Sequence, residues 1–455
     1  MDYPAYPVYR ESGIEWLGKI PDHWELKKFR FLFSFGRGLG ITKENLLDEG
    51  VPCINYGEIH SKYGFEVIPE KHPLKCVTPD YLETGTSSLL SAGDFIFADT
   101  SEDIEGSGNF SHLNSDIPTF AGYHTVIARP ISNDFPRYIA YLFDSLPYRF
   151  QIRKTVSGVK VFSITQAILK NCYLWLPKKT EQIQIAQFLD HKTQQIDQLL
   201  AKKQTLIDKL NEQRIALITH AVSKGLNPDV TLEDSGVEWL GEVPEHWEVV
   251  KLSYRYEVLL GKMLDDKRIT GDFLGEYLRN TDVQWGRINY ESLPQMDFRP
   301  DEYERYSIKK GDLVVCEGGE IGRCAIWERE TPCFYQKALH RLRPVDPKND
   351  NARFMFYVLF DAVHQERFIN GASKATIAHL PAETFRQYRF AYPPMIEQRE
   401  IVEYLDRETV RIDRMVELNQ QTIDKLKEYR TALITAAVTG KIDLRTWQKM
   451  ETKGA

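Results

Sequence analysis

Residues 21–27 read PDHWELK and set two carboxylates, Asp22 and Glu25, beside Lys27. Metal-dependent nucleases use that residue set to hold a divalent cation for attack on a phosphodiester. The spacing speaks against this use. The two carboxylates are only three positions apart, and a second copy of the motif, PEHWEVVK at 244–251, slips its lysine by one position. The glycine clusters GRGLG (36–40) and EGGEIG (317–322) lack the G-x-x-x-x-G-K-[ST] of a phosphate loop and the strand–G-x-G-x-x-G–helix of a dinucleotide site, so they read as tight turns. The 11 histidines include no H-E-x-x-H pair, which leaves each as a surface or packed residue rather than a metal ligand. An Asn-Pro-Pro-aromatic motif of amino-methyltransferases is also missing, because NPDV (227–230) and YPPM (392–395) lack the stacking aromatic. Chemistry on a bound substrate has no motif in this chain.

The elements that hold these residues are written twice. SGIEWLGKIPDHWE at 12–25 returns as SGVEWLGEVPEHWE at 235–248, and residues 181–222 match residues 397–438 at a constant offset of 216. Trp16, Trp24, Trp239 and Trp247 are expected to anchor cores. Within the longer repeat, Ile196, Leu200, Lys203, Ile207, Leu210, Arg214, Leu217 and Ala221 alternate in 4,3 spacing. Ile412, Val416, Asn419, Ile423, Leu426, Arg430, Leu433 and Ala437 do the same, so each copy predicts a long helix, about 181–222 and about 397–438, with a heptad seam. Polar residues in such a seam fix register and partner, and each helix is expected to pair with the other copy in the same chain. Thr193 and Thr409, each just ahead of an Ile-Asp pair, are read as caps that break a short first helix from the long one.

Between the repeats, residues 26–175 and 249–391 are rich in glycine, proline, aromatics and short β-branched runs, and predict mixed α/β domains. They resemble each other faintly: AGDFIFA (92–98) parallels KGDLVVC (310–316), and SGVKVFSI (157–164) parallels NGASKATI (370–377). The organisation is a tandem duplication. An N-terminal segment, 1–25, precedes the first domain, 26–175; a central region, 176–248, leads to the second domain, 249–391, and to a C-terminal region, 392–455. Duplicated scaffolds carrying diverged domains suit two domains that recognise different things.

A chain of 455 residues has room for two to four domains. Its 42% hydrophobic and 27% charged residues describe a globular protein, and no apolar run nears the roughly 20 residues of a membrane helix. The first residues lack a basic segment followed by an apolar run, which predicts a cytoplasmic protein. Six cysteines without a C-x-x-C pair predict buried thiols rather than zinc or disulfides. A net charge of -7 argues against a wholly cationic surface but leaves room for local basic clefts.

The two copies of SGxEWLGxxPxHWE, each followed by a variable domain and then by EQxxI…LD…T..ID…IDKL.E.R.ALI..AV, resemble the specificity subunit of a type I restriction-modification enzyme over nearly the whole chain. The ending AAVTGKIDLR (436–445) is similar to that family's C-terminal region. The resemblance implies an α+β, mixed fold of two globular α/β target-recognition domains separated by two long antiparallel coiled-coil helices. Pseudo-twofold symmetry and neighbouring N- and C-terminal segments go with it. It implies a non-catalytic subunit whose domains each read one half of a split double-stranded DNA target, with the helices setting the spacer. It further implies two modification (methyltransferase) subunits as partners, and restriction (motor-nuclease) subunits through the complex. No cofactor is expected in this chain; S-adenosylmethionine, ATP and Mg belong to the partner subunits.

Phosphate contacts need Lys, Arg or loop amides, and base edges need polar side chains projected from loops. On these grounds the DNA-binding candidates in the first domain are Arg37 and Lys43 around the glycine turn, Asn55 and Tyr56 after an apolar run, and Arg153, Lys154, Ser157 and Lys160 around SGVK. In the second they are Lys262, Lys267 and Arg268 in GKMLDDKR, Arg279 and Asn280 in YLRNTDV, and Ser373, Lys374 and Thr376 in NGASKAT. Each competes with a plain reading as a solvated loop residue. Two other functions stay open on sequence alone: a duplicated coiled-coil adaptor that binds only proteins, and the nuclease built on Asp22 and Glu25.

Overall fold

A computed structural model describes residues 3–131, 136–156, 161–264, 270–368 and 379–448. In it the repeated histidine–tryptophan pair finds its partner at least 150 positions away. Trp24 Nε1 donates to Glu181 Oε1 at 3.0 Å, the Tyr6 hydroxyl donates to the same oxygen at 2.6 Å, and His23 Nε2 lies 2.8 Å from Oε2. The second copy repeats the clamp, with Trp247 Nε1 donating to Glu397 Oε1 at 3.1 Å and His246 Nε2 at 2.8 Å from Oε2. Glu181 and Glu397 stand in the first turns of two long helices, Lys179–Lys224 and Met395–Val438, where a carboxylate also faces the positive end of the helix dipole. Trp24 and Trp247 are buried, as expected, whereas Trp16 and Trp239 are only half-buried, beside Trp175 and Phe390. The carboxylates of the nuclease reading are not gathered. Asp22 is exposed, Glu25 pairs with Lys27 at 2.6 Å, and Arg10 holds the carbonyl oxygens of Asp22 and Trp24.

The chain forms two compact units, one of residues 1–203 and 421–455, the other of residues 204–420. In the first, strands Glu25–Lys28 and Tyr173–Leu176 pair antiparallel with Leu176 opposite Glu25; in the second, Glu248–Lys251 pairs with Arg389–Tyr392 with Tyr392 opposite Glu248. Each pair is a stem. The chain enters an α/β domain along one strand and leaves along the other, straight into a long helix.

Above the first stem, Phe33–Arg37, Thr125–Pro130, Phe95–Ala98, Phe110–Leu113 and Phe65–Val67 form one sheet in that order, and Cys76–Val77, Val51–Ile54, Thr119–Ala121 and Leu89–Leu90 form another. Above the second stem the orders are Tyr256–Leu260, Leu339–Pro344, Leu313–Cys316, Cys324–Ile326, and Gln295–Asp297, Leu274–Leu278, Cys333–Tyr335, Ser307–Ile308. Strand for strand these are the same sheets, with the outermost strand of the first absent from the second among the described residues. AGDFIFA and KGDLVVC fall on equivalent strands, and their aspartates hold equivalent arginines: Asp94 with Arg129 at 3.2 Å, Asp312 with Arg343 at 2.7 Å. Helices Pro136–Asp144 and Ala352–His364 tie the domains to the long helices through matching bonds, Tyr141 and Arg137 to Asp190, Tyr357 and Arg353 to Asp406.

All eight seam positions of each long helix are buried or half-buried. Within the first unit Arg430 Nε reaches Asp197 Oδ1 at 3.1 Å, and within the second Arg214 bonds Asp413. These pairs are the same interaction at an offset of 216, and in each unit residues rising along one helix meet residues falling along the other, so the packing is antiparallel. The long helices are continuous, which corrects the expected break: the hydroxyls of Thr193 and Thr409 donate to the carbonyls of Leu189 and Leu405, one turn back, instead of capping a new helix. Beyond the second helix, Asp443 N donates to Pro4 O at 2.7 Å and the Tyr9 hydroxyl to Gly440 O at 2.8 Å, which joins the segment after that helix to the N-terminal segment.

Trp24→Phe exchanges the indole for a smaller ring and removes a donor from a carboxylate whose side chain is 6% exposed, and the lost donor is expected to destabilise by about 1–3 kcal/mol. Trp247→Phe is expected to cost less, because Glu397 is 23% exposed and water replaces the missing donor. Urea midpoints of the two variants check the order.

Candidate nucleic-acid interface

A glycine that crosses another chain segment directly follows strand Phe33–Arg37 in one domain and strand Tyr256–Leu260 in the other. A Cβ on Gly38 would lie 1.9 Å from the carbonyl oxygen of Gly122, and one on Gly261 2.3 Å from that of Gln336. Both glycines serve a close crossing; for Gly38, within GRGLG, the sequence predicted a tight turn. At the crossing Leu39 N donates to Ala121 O at 2.8 Å and Gly122 N to Ile54 O at 2.8 Å; Lys262 N donates to Tyr335 O at 3.0 Å and Gln336 N to Leu278 O at 3.1 Å. Candidates far apart in sequence are thereby gathered: Arg37, Asn55 and Tyr56 around residues 121–124, and Lys262, Arg279 and Asn280 around residues 335–338.

Their surroundings separate them. Arg37, Lys43 and Lys154 are exposed, and none has a side-chain partner among the described residues. Tyr56 is half-buried, with its ring 5.7 Å from that of Tyr123, and lines an open cavity of about 760 Å³ together with His60, Glu102, Asp103 and Glu105. Those carboxylates repel a phosphate but accept hydrogen bonds from an amino group such as cytosine N4. Arg153 is half-buried, bonds the carbonyl oxygen of Glu105, and has its pKa lowered by burial and by the neighbouring Arg149.

Asn55 departs from the expectation. It is 1% exposed and sits at the N-cap of helix Tyr56–Ser61, where its N–H donates to Glu58 Oε2 at 3.1 Å. The pattern N-x-x-E is a capping box and is legible as such. Arg279 occupies the equivalent cap. Its N–H donates to Asp282 Oδ2 at 2.8 Å and its guanidinium grips that carboxylate at 2.8 and 2.9 Å, which raises its pKa. Asn280 donates to Gly318 O at 2.9 Å and accepts from Arg323 at 3.0 Å. Lys262 turns inward, donating to Asp297 O at 2.7 Å and pairing with Glu302 at 2.6 Å. These three brace the loops. Lys337, which sequence reasoning passed over, is exposed beside the same crossing and follows the position equivalent to Gly122. Its sequence signal lies in PCFYQKA (332–338), which parallels PTFAGYH (118–124) faintly and sets Lys337 opposite Tyr123. Ser157, Lys160, Lys267, Arg268, Ser373, Lys374 and Thr376 lie outside the described residues.

A family model described as the type I restriction modification DNA specificity domain matches residues 21–209 and again residues 244–428. The chain belongs to that family. Specificity subunits choose the DNA target and are not the catalytic part of these enzymes. Among similar specificity subunits, that of the type I restriction enzyme MjaVIII from Methanocaldococcus jannaschii is 24% identical over 67% of this chain and 70% of its own length. That of EcoKI from Escherichia coli K12 is 21% identical over 93% and 90%. Two solved structures share the fold. One, from work on complex assembly and conformational transition of the type I R-M system, has a TM-score of 0.71 at 15% identity over 93% of this chain and 99% of its own. The HsdS subunit of Thermoanaerobacter tengcongensis has a TM-score of 0.55 at 16% identity over 93% and 98%. Among the described residues no helix of this specificity subunit is long and apolar enough to cross a membrane.

Replacing Arg37, Lys43 or Lys154 by Ala is expected to weaken DNA binding on every sequence and to flatten the slope of log K against log salt by about 0.9 for each phosphate left without its cation. Lys262→Ala is expected to leave that slope alone and lower stability, since it removes an internal ion pair. Fluorescence anisotropy between roughly 50 and 200 mM salt separates the two classes.

Proposed function

We propose that each α/β domain reads one half of a split, asymmetric double-stranded DNA target, residues 26–175 one half and residues 249–391 the other, and that the paired helices set the length of the unread spacer. The observation that carries this reading is one backbone crossing built twice with different side chains: Arg37, Asn55, Tyr56, Gly122 and Tyr123 in one domain stand where Leu260, Arg279, Asn280, Gln336 and Lys337 stand in the other. Equal scaffolds present unequal chemistry, which suits two different half-sites. The cationic positions free of internal partners hold the phosphates, and loop groups at the crossing meet base edges. Ser157, Lys160, Lys267, Arg268, Ser373, Lys374 and Thr376 remain candidates in the same role.

The chain acts in the cytoplasm with two modification subunits, one per copy of the scaffold, and with restriction subunits through the assembled complex. S-adenosylmethionine, ATP and Mg enter through those partners. The polar faces of the long helices opposite the seam, with Gln194, Gln198, Lys202 and Lys209 on the first, offer them surface.

Methylation mapping of DNA from cells with this chain and its modification subunit is expected to reveal a split motif that is absent without the chain. Exchanging residues 26–175 for those of a relative is expected to change one half only; a motif unchanged by the exchange overturns the assignment. Inserting one heptad into each long helix adds roughly 10 Å and is expected to widen the spacer by about three base pairs, and an unchanged spacer defeats the ruler.

A further inference from the structure

The two domains differ where they are expected to read DNA, yet an exposed apolar patch at the root of each is alike. In the first, Phe31 is 69% exposed and Ile131 64%; in the second, Tyr254 is 67% exposed and Val345 63%. The positions are equivalent in the backbone as well. Each aromatic lies in the short helical turn that follows the entry strand, and each aliphatic residue follows the strand paired with the next one, Pro130 opposite Phe33 and Pro344 opposite Tyr256. Ile131 N donates to Leu32 O, and Val345 N to Arg255 O, both at 2.9 Å, so the aromatic and the aliphatic residue flank the same peptide in each copy.

Isolated exposed apolar residues need no explanation, but the same aromatic–aliphatic pair at the same place in two diverged domains does. A lysine stands three residues ahead of the aromatic in both copies, Lys28 and Lys251, with the Arg30 guanidinium 5.9 Å from the Phe31 ring in the first and Arg389 opposite Lys251 in the second. A phosphate gains nothing from an exposed Phe, Ile or Val, and base readout at two different half-sites demands unlike residues rather than like ones. What is alike on both domains meets something that is the same at both.

We infer that Phe31 with Ile131, and Tyr254 with Val345, are twin docking patches for one protein partner bound in two copies, through an apolar anchor bordered by carboxylates. This rests on the functional reading above, which supplies that partner as the modification subunit. The aromatic fills an apolar recess, as buried aromatics do at the centre of tight interfaces, and the lysine and arginine rim selects an acidic border.

The test uses the full chain co-expressed with its modification subunit. Phe31→Ser and Tyr254→Ser are each expected to hold one modification subunit normally and the second at least about tenfold more weakly, and the double variant is expected to release both, as measured by light scattering and titration. Phe31→Tyr and Tyr254→Phe, which exchange the aromatics of the two copies, are expected to assemble as the parent chain does, so a defect confined to the serine variants is a defect of the patch. Assembly of the double serine variant within twofold of the parent overturns the inference. Unchanged assembly with weaker DNA binding at an unchanged salt slope also overturns it and assigns the patches to DNA. A parent chain that binds no modification subunit defeats the functional reading itself, and the inference with it.

Discussion

A carboxylate in the first turn of a long helix, taken out of water, needs donors or it would cost several kcal/mol. Glu181 obtains them from Trp24, His23 and Tyr6, and Glu397 from Trp247 and His246. The rest of each unit depends on this clamp. It fixes the turn that precedes the entry strand of a domain to the helix that follows the exit strand, so the domain stands on a closed base. The stem pairing Glu25–Lys28 with Tyr173–Leu176, and its counterpart, then sets where the sheets begin. A second tether from the domain to the same helix, Tyr141 and Arg137 on Asp190 or Tyr357 and Arg353 on Asp406, removes the remaining freedom to pivot.

The duplication has a physical signature beyond sequence likeness. Because the helices pack antiparallel within each unit, an arginine on one copy meets an aspartate on the other: Arg430 with Asp197, and Arg214 with Asp413. One residue pair per repeat serves both units. The polar seam positions that looked like weaknesses in a hydrophobic stripe are where register is written, since a shift by one heptad would strand both arginines.

Sequence was informative where a pattern is local. The duplicated segment with its 4,3 spacing revealed the helices to within two residues of their starts and ends, and the continuous apolar runs in AGDFIFA and KGDLVVC prove to be fully buried strands. It was misleading where local chemistry has two uses. Thr193 and Thr409 have the composition of caps, but continuous helix on both sides turns their hydroxyls onto the preceding turn. Asn55 was singled out for its amide, while the N-x-x-E pattern also sets it at a helix N-cap beside Glu58. It was silent where partners are distant: nothing near Trp24 points to Glu181, and nothing near Lys262 points to Glu302. The exposed loop chemistry of the interface depends on which side chains find internal partners, and that is a property of the fold.

The stem also separates two kinds of change. Its entry and exit strands lie side by side, and the chain beyond them returns to the same base whatever it encloses. Substitutions among the loops of a domain therefore leave the clamp in place, while the domain helix stays tied to the long helices through Asp190 or Asp406 and through Asp144 on Arg430. Such a protein changes its outer loops without rebuilding its base, so selection on the loops and selection on the roots of the domains act on different residues.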